Sequence, residues 1–320
     1  MKTHPIGRTG VFVTEVGFGT APIGGMPDTY GHDVDEESAL ATIRAIFDSP
    51  VKLMDTSRNY GFGRAEARIG AVIRERGGLP AGFVISTKLD RDMETGRFDA
   101  GRARRSLEES LTALGLESVQ ILHLHDPEHC ADMSEITRSG GALDELFRIK
   151  EEGLTQAVGL AMGRLDLLMP FLNDWPFDVI LNHNRFSLLN RSAIPAYELA
   201  RSHGAAVFNA APYAGGVLAK GSSKVQRITY QAADEPRLAA VKRIEALCER
   251  HGVDVGAAAL QFSTRDSRVS ATIVGVSRPE RVEQTLTWAN STLPEAISTD
   301  LAGLDYETTD PEAERRYTPG

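Results

Sequence analysis

The sequence predicts an α/β fold, a (β/α)8 barrel preceded by an N-terminal β-hairpin, and three observations carry that prediction. Short β-rich runs alternate with helical patterns along the chain, as in a parallel sheet with crossover helices. The runs number eight, the count that a closed parallel barrel requires. A chain of 320 residues, 42% hydrophobic and 25% charged, has a globular balance, and barrels of about 250 residues and more are common as single domains.

The elements follow in order. Gly7-Arg8-Thr9-Gly10, set between Ile6 and Val11-Phe12-Val13, reads as a tight hairpin over residues 1–15 that covers the bottom of the barrel. The eight candidate strands are 16–19, 51–55, 84–88, 119–125, 156–160, 178–182, 205–209 and 272–275, each followed by a helix-like segment. Asp35-Glu36-Glu37-Ser38 places acid at a helix start, whereas Gly153 and Gly252 mark helix ends. The barrel is expected over 16–291 and a C-terminal tail over 292–320. No low-complexity linker divides them, so one domain over 1–320 is expected. The irregular stretches 126–138 and 212–234 follow strands, and such loops lie at the face of a barrel where chemistry occurs.

Composition excludes several classes of function. Thirty-five basic against 44 acidic residues give a net charge of −9, which leaves no positive field for nucleic acid or an anionic membrane. Arg102-Ala103-Arg104-Arg105 is followed by Glu108 and Glu109 and reads as a solvated helix face. The start has no apolar leader, and no run of about 18 apolar residues occurs, so a cytoplasmic protein is expected. Cys130 and Cys248 are far apart and outside any CxxC pattern, which suits reduced thiols. Asn290-Ser291-Thr292 matches a glycosylation acceptor but lacks an export signal to give it meaning.

The informative residues terminate apolar strands: Asp55 after Leu53-Met54, Lys88 after Val84-Ile85-Ser86-Thr87, and His125 after Ile121-Leu122-His123-Leu124. Strand period two puts Leu53 with Asp55, Ser86 with Lys88, and Ile121 with His123 and His125. If those faces point inward, Asp55, Lys88 and His125 converge on the barrel mouth, with Tyr60 in the loop beyond Asp55. Singly, each has a bland alternative: a loop cap, a lysine reaching solvent, a histidine satisfying a carbonyl. Together they form a proton-transfer site. A phenol with a pKa of ~10 is a poor base until a cation favours the phenolate. Lys88 supplies the cation, Asp55 holds it, and His125 orients the substrate oxygen beside Tyr60.

Met54-Asp55-Thr56-Ser57-Arg58-Asn59-Tyr60-Gly61, Ile85-Ser86-Thr87-Lys88 and Leu122-His123-Leu124-His125-Asp126-Pro127 resemble three segments of the aldo-keto reductase family. The resemblance implies an NAD(P)-dependent oxidoreductase with the catalytic residues Asp55, Tyr60, Lys88 and His125 and no metal. Phe208-Asn209-Ala210-Ala211-Pro212-Tyr213 and Gly215-Gly216-Val217-Leu218 are similar to the branch that oxidises free sugars at C1. That branch includes L-fucose (D-threo-aldose) 1-dehydrogenases, L-galactose dehydrogenases and pyridoxal 4-dehydrogenase. It implies oxidation of an aldose to a lactone, or, in reverse, reduction of an aldehyde or ketone.

No GxGxxG follows a strand, so a Rossmann site is not expected. The resemblance instead lays the dinucleotide across the mouth, against Gly19, Thr20, His183, Ala210, Pro212, Gly215, Gly216, Leu218, Gly275, Ser277 and Arg281. The chain departs from the family at Gly159-Leu160-Ala161-Met162, at His183 in place of a glutamine, and at Ala210 in place of an aromatic. Gly275 replaces a lysine that often pairs with the 2′-phosphate of NADP, while Arg281 remains. NAD is therefore favoured, with dual use open. Arg58, Asn59, His183, Arg185 and Tyr230 are candidate hydroxyl contacts for a small-molecule substrate. Three rivals stand beside this reading: a metal-dependent hydrolase using His123, His125 and His129, an aldolase with Lys88 as amine nucleophile, and a nucleotide-sensing channel subunit.

Overall fold

The computed structural model describes residues 1–27 and 33–313; the last part of the expected tail, 314–320, lies outside the described residues. The chain opens with an antiparallel hairpin of β1 (Thr3–Pro5) and β2 (Phe12–Thr14). The barrel strands follow as β3 (Val16–Gly19), β4 (Leu53–Asp55), β5 (Val84–Leu89), β6 (Val119–His125), β7 (Thr155–Ala161), β8 (Val179–His183) and β9 (Ala206–Ala210). A small antiparallel pair, β10 (Arg227–Ile228) and β11 (Gln231–Ala232), precedes the last barrel strand, β12 (Ala271–Gly275). β12 pairs with both β9 and β3, which closes the eight parallel strands into a barrel. Every expected strand is present. The hairpin turn is the tetrapeptide Gly7–Gly10: Ile6 N donates to Val11 O at 2.9 Å and closes it, and Thr9 N turns back onto Ile6 O at 3.2 Å.

The inward faces obey the period-two reading. Leu53, Val84, Ile121, Ala157, Val179, Ala206 and Ala271 cluster inside the barrel, and Ile6, Val11 and Val13 of the hairpin pack against them. These residues lie towards the strand starts, so the hairpin closes the end opposite the polar strand termini. Side chains fill the interior too tightly for a residue on every strand. At Gly17 a Cβ would stand 2.7 Å from Leu53 Cδ2, and at Gly159 it would overlap the His123 ring.

The outward faces meet the helices in a second, larger core. The helix Glu36–Asp48 starts at Asp35, whose carboxylate accepts from Ser38 N at 2.8 Å, and buries Ala39, Ile43, Ile46 and Phe47. The helices Ala142–Glu151 and Glu235–Arg250 end shortly before Gly153 and Gly252, both left-handed. Within Ala100–Leu114, Arg102 pairs with Glu109 at 2.7 Å and Arg104 with Glu152 at 2.6 Å, so the basic cluster is used in ion pairs.

The helix Arg64–Glu75 turns Glu66 inward, where Thr87 Oγ1 donates to its carboxyl at 2.6 Å. Burial pushes that carboxyl from 4.5 up to about 7, against the opposing hydrogen bond from Thr87. A folded-state pKa raised this way leaves stability intact below the ordinary carboxyl range and removes it as pH rises through about 7. Glu66→Gln should therefore gain roughly 2–3 kcal/mol on the wild type as pH rises from about 5 to about 8, read from urea denaturation at both ends. A difference independent of pH would mean that the carboxylate ionises in the core without penalty.

Candidate active site

The strands β3, β4, β5, β6, β8, β9 and β12 present Gly19, Asp55, Lys88, His125, His183, Ala210 and Gly275 at or near their C-terminal ends. Register ties neighbours together: Gly19 lies across from Asp55 and from Gly275, and His183 from Ala210. Thr20 steadies this rim, since both its N–H and its hydroxyl donate to Asp55 O at 3.0 Å.

Lys88 is fully buried, and its ammonium has three acceptors: Asp55 Oδ2 at 2.7 Å, Thr56 O at 2.6 Å and Tyr60 Oη at 3.2 Å. Ser86 Oγ donates to the other Asp55 oxygen at 3.0 Å. An ammonium with all three hydrogens engaged is a held cation, which opposes use of Lys88 as an amine nucleophile. Tyr60 reaches it from a loop pressed against the turn Ala21–Gly24. Gly61 has φ 60°, and any Cβ there would strike the Gly24 carbonyl, so the approach requires glycine.

His125 completes the group with its ring edge-on to Tyr60, centroids 5.9 Å apart. Its Nδ1 lies 2.6 Å from Asp90 Oδ1, and its Nε2 lies 3.6 Å from Asp126 Oδ2. Burial alone would lower this imidazole, but Asp126 and Asp90 together hold it above its ordinary value. His123 sits deeper, with Nε2 3.1 Å from Ser86 Oγ; burial, aided by the Lys88 charge, pushes it well below its ordinary value and keeps it neutral. Asp55, Tyr60, Lys88 and His125 are thus brought together, with His123 behind them. Among the described residues no three or more His, Cys, Asp and Glu side chains are grouped to hold a metal.

The stretches expected to meet a dinucleotide lie on the same rim. After β9, Ala211, Ala214, Gly215 and Gly216 all have positive φ, and Pro212 and Leu218 are buried beneath that turn. Gly275 and Ser277 follow β12, and Arg281 stands in the first turn of the helix Pro279–Asn290. Burial lowers Lys220, and the neighbouring charges of Arg281 and Arg278 lower it further, so three cations gather there. Among the described residues no carboxylate pairs with any of them.

Beyond Asp126 the mouth widens into a cavity of about 620 Å³ walled by polar groups. Arg185 is held by Asp310 at 2.6 Å and Glu312 at 2.8 Å, and His183 Nε2 lies 3.1 Å from Glu312, so the C-terminal tail forms one side. Arg185 and His183, expected as substrate contacts, meet the tail in this structure. Arg58 pairs with Glu109 at 3.3 Å outside the mouth. Tyr230 lies on the turn between β10 and β11, with φ 67°. Sequence reasoning missed Ser57, Asp90, Asp126, Lys220, Arg278 and Glu312. Only Asp90 had a signal, since it continues the inward series Ser86, Lys88, Asp90.

The profile of the aldo/keto reductase family matches residues 15–304. The pyridoxal 4-dehydrogenase of Microbacterium luteolum is 30% identical, with 94% of this chain and 96% of that protein aligned. The L-galactose dehydrogenase of Arabidopsis thaliana is also 30% identical, over 96% of this chain and 92% of that protein. Among solved structures, an aldo-keto reductase of Bacillus halodurans in its holo form superposes with a TM-score of 0.79 over 99% of this chain and all of the other, at 18% identity.

Removing the ammonium alone should be costly. Lys88→Met leaves Asp55 as a buried charge without its cation and should cost about 3–5 kcal/mol in urea denaturation, whereas Asp55→Asn combined with Lys88→Met should recover most of it. A double variant no more stable than the single one would show that packing, not the ion pair, holds this part of the barrel.

Proposed function

The chain belongs to the aldo/keto reductase family and is an oxidoreductase of that family, and from that premise we propose that it oxidises an aldose at C1 to the lactone with NAD(P). The observation that carries this reading is the Lys88 ammonium, held by Asp55 and 3.2 Å from the Tyr60 hydroxyl, with His125 beside it 3.6 Å from Asp126, which lines a neighbouring cavity rich in polar groups. Tyr60 takes the C1 hydroxyl proton, and Lys88 stabilises the charge on the phenol oxygen as it does so. His125 orients the substrate oxygen. Reduction of a carbonyl uses the same groups, with Tyr60 giving the proton back.

The residues present fit a dinucleotide. The Gly215–Gly216 turn exposes its backbone, and nothing lies within 4 Å of the place where a Gly216 Cβ would stand. Lys220, Arg278 and Arg281 gather positive charge with no carboxylate paired to them among the described residues, the pattern that phosphates match. These residues, with Gly275 and Ser277, would hold the cofactor, which supplies a hydride acceptor when bound. NAD remains our working cofactor, and the three cations support acceptance of the NADP 2′-phosphate as well.

Charge argues for the substrate class. Five carboxylates, Asp126, Glu128, Asp166, Asp310 and Glu312, line the cavity against two guanidiniums, and Arg164 and Arg185 are already paired within it. Such a vestibule repels phosphorylated or carboxylated substrates and offers acceptors to hydroxyls. Among the described residues no phenyl or indole ring lines it to stack on a pyridine, which favours a sugar over pyridoxal. No helix among the described residues is long and apolar enough to cross a membrane.

Free aldoses supplied with NAD and with NADP should raise absorbance at the reduced-nicotinamide band, and Tyr60→Phe should lower kcat by about 100-fold or more. Sugar phosphates should be turned over at least about tenfold less efficiently than the free sugars, a gap that Glu312→Gln narrows. Silence with all aldoses, together with turnover of sugar phosphates, would overturn the substrate assignment.

A further inference from the structure

Asp90 is absent from the four residues to which the reaction has been assigned, yet it is among the most thoroughly held carboxylates in the protein. Its main chain is tied at both ends: Ser106 Oγ accepts from Asp90 N at 2.8 Å, and Arg102 Nε donates to Asp90 O at 3.1 Å. One carboxylate oxygen, Oδ2, accepts from Ser57 Oγ at 2.7 Å and from Asn59 N at 3.0 Å. The other, Oδ1, lies 2.6 Å from His125 Nδ1, and both side chains are buried. Ser57 and Asn59 stand in the same loop as Tyr60, so this carboxylate joins the loop after β4 to the end of β6.

We infer that Asp90 is a positioning residue that fixes the His125 ring through Nδ1 and stabilises its protonated form, so that Nε2 points a proton at the substrate oxygen. The inference rests on the reading of His125 given above. Its logic is the proton inventory of imidazole. An ionised carboxylate only accepts, so the nitrogen facing it must carry the hydrogen. Once Nδ1–H is committed to Asp90, a neutral ring leaves a bare lone pair at Nε2, and only the imidazolium donates there.

Protonation of this one ring therefore changes what the site does. As imidazolium, His125 donates to a carbonyl oxygen and serves reduction. As neutral imidazole, it offers only a lone pair, which competes with Tyr60 for the single hydroxyl hydrogen of an alcohol. The charged and titratable groups facing it are Asp90 and Lys88 from β5 and beyond, Asp126 at the end of β6, and Tyr60 on the loop after β4. His123 lies one layer below, while His129, His183 and Arg91 act around Asp126. Asp90 and Asp126 favour the cation, and Lys88 opposes it.

The test is imidazole NMR on the 15N-histidine-labelled protein from about pH 5 to 9, with the His125 signals assigned by their loss in His125→Gln. In the wild type the neutral ring should carry its proton on Nδ1, and in Asp90→Asn the proton affinity should fall by about tenfold or more, one pH unit. In kinetics, the high-pH limb of kcat/KM for carbonyl reduction should move down by the same amount in Asp90→Asn. A merely structural role would lower the rate equally at every pH. A neutral wild-type ring protonated on Nε2, or an unchanged titration in Asp90→Asn, overturns the inference. If Asp90→Asn does not fold, the wild-type tautomer decides alone. If the wild type turns over no sugar, the proposed function fails while the NMR result still decides the role of Asp90.

Discussion

The constraint on which the rest of this structure depends is the burial of the Lys88 ammonium. A cation out of water costs several kcal/mol unless it is paired and fully hydrogen-bonded, and a hydrophobic replacement of such a pair is often no less stable. Here the three acceptors come from β4, from the residue after it and from the loop that follows. Satisfying the ammonium thus fixes the end of β4 relative to β5 and brings the Tyr60 hydroxyl to a set place. Under the proposed function, the pair serves orientation and charge more than stability.

The same device occurs twice. Asp55 stands behind Lys88, Asp90 stands behind His125, and Tyr60 meets both the Lys88 ammonium and the His125 ring. Lys88 opposes a charge on His125, and the Asp126 and Asp90 carboxylates offset that repulsion. Small residues behind the site make room for the arrangement. Gly159 admits the His123 ring, whose neutrality keeps a third charge out of the barrel interior.

Most of this frame was legible because strands have period two. Polar residues ending apolar runs on three consecutive strands could face only the core or the mouth, and the structure places Asp55, Lys88 and His125 together at that end. Asp90 was legible by the same rule, one step past Lys88, but the strand was read as ending at residue 88, whereas it extends to Leu89. Asp126 was not legible. Its left-handed backbone, φ 43°, turns its carboxylate back towards His125, and nothing local in Asp126-Pro127 announces that turn. Lys220 and Arg278 escaped notice for a different reason: each looks like a surface residue until the loop after β9 and the last barrel helix are set side by side.

The tail shows why substrate identity is harder to read than chemistry. Glu312 reaches Arg185 across 127 residues of sequence, and Asp310 does so across 125. Asn190 Nδ2 holds Thr309 O at 2.8 Å, and Gln231 Nε2 holds Pro311 O at 3.0 Å. Besides one backbone bridge, Asn190 with Glu307, these are a few polar contacts onto loops. Segments held in this way can be exchanged without disturbing the barrel, whereas moving Lys88 or Asp55 would unpair a buried charge. Proteins sharing this frame can therefore differ in the walls of the vestibule while keeping the proton-handling group beneath it. The acidic lining of the cavity beyond Asp126 is correspondingly a property of this chain's own loops and tail.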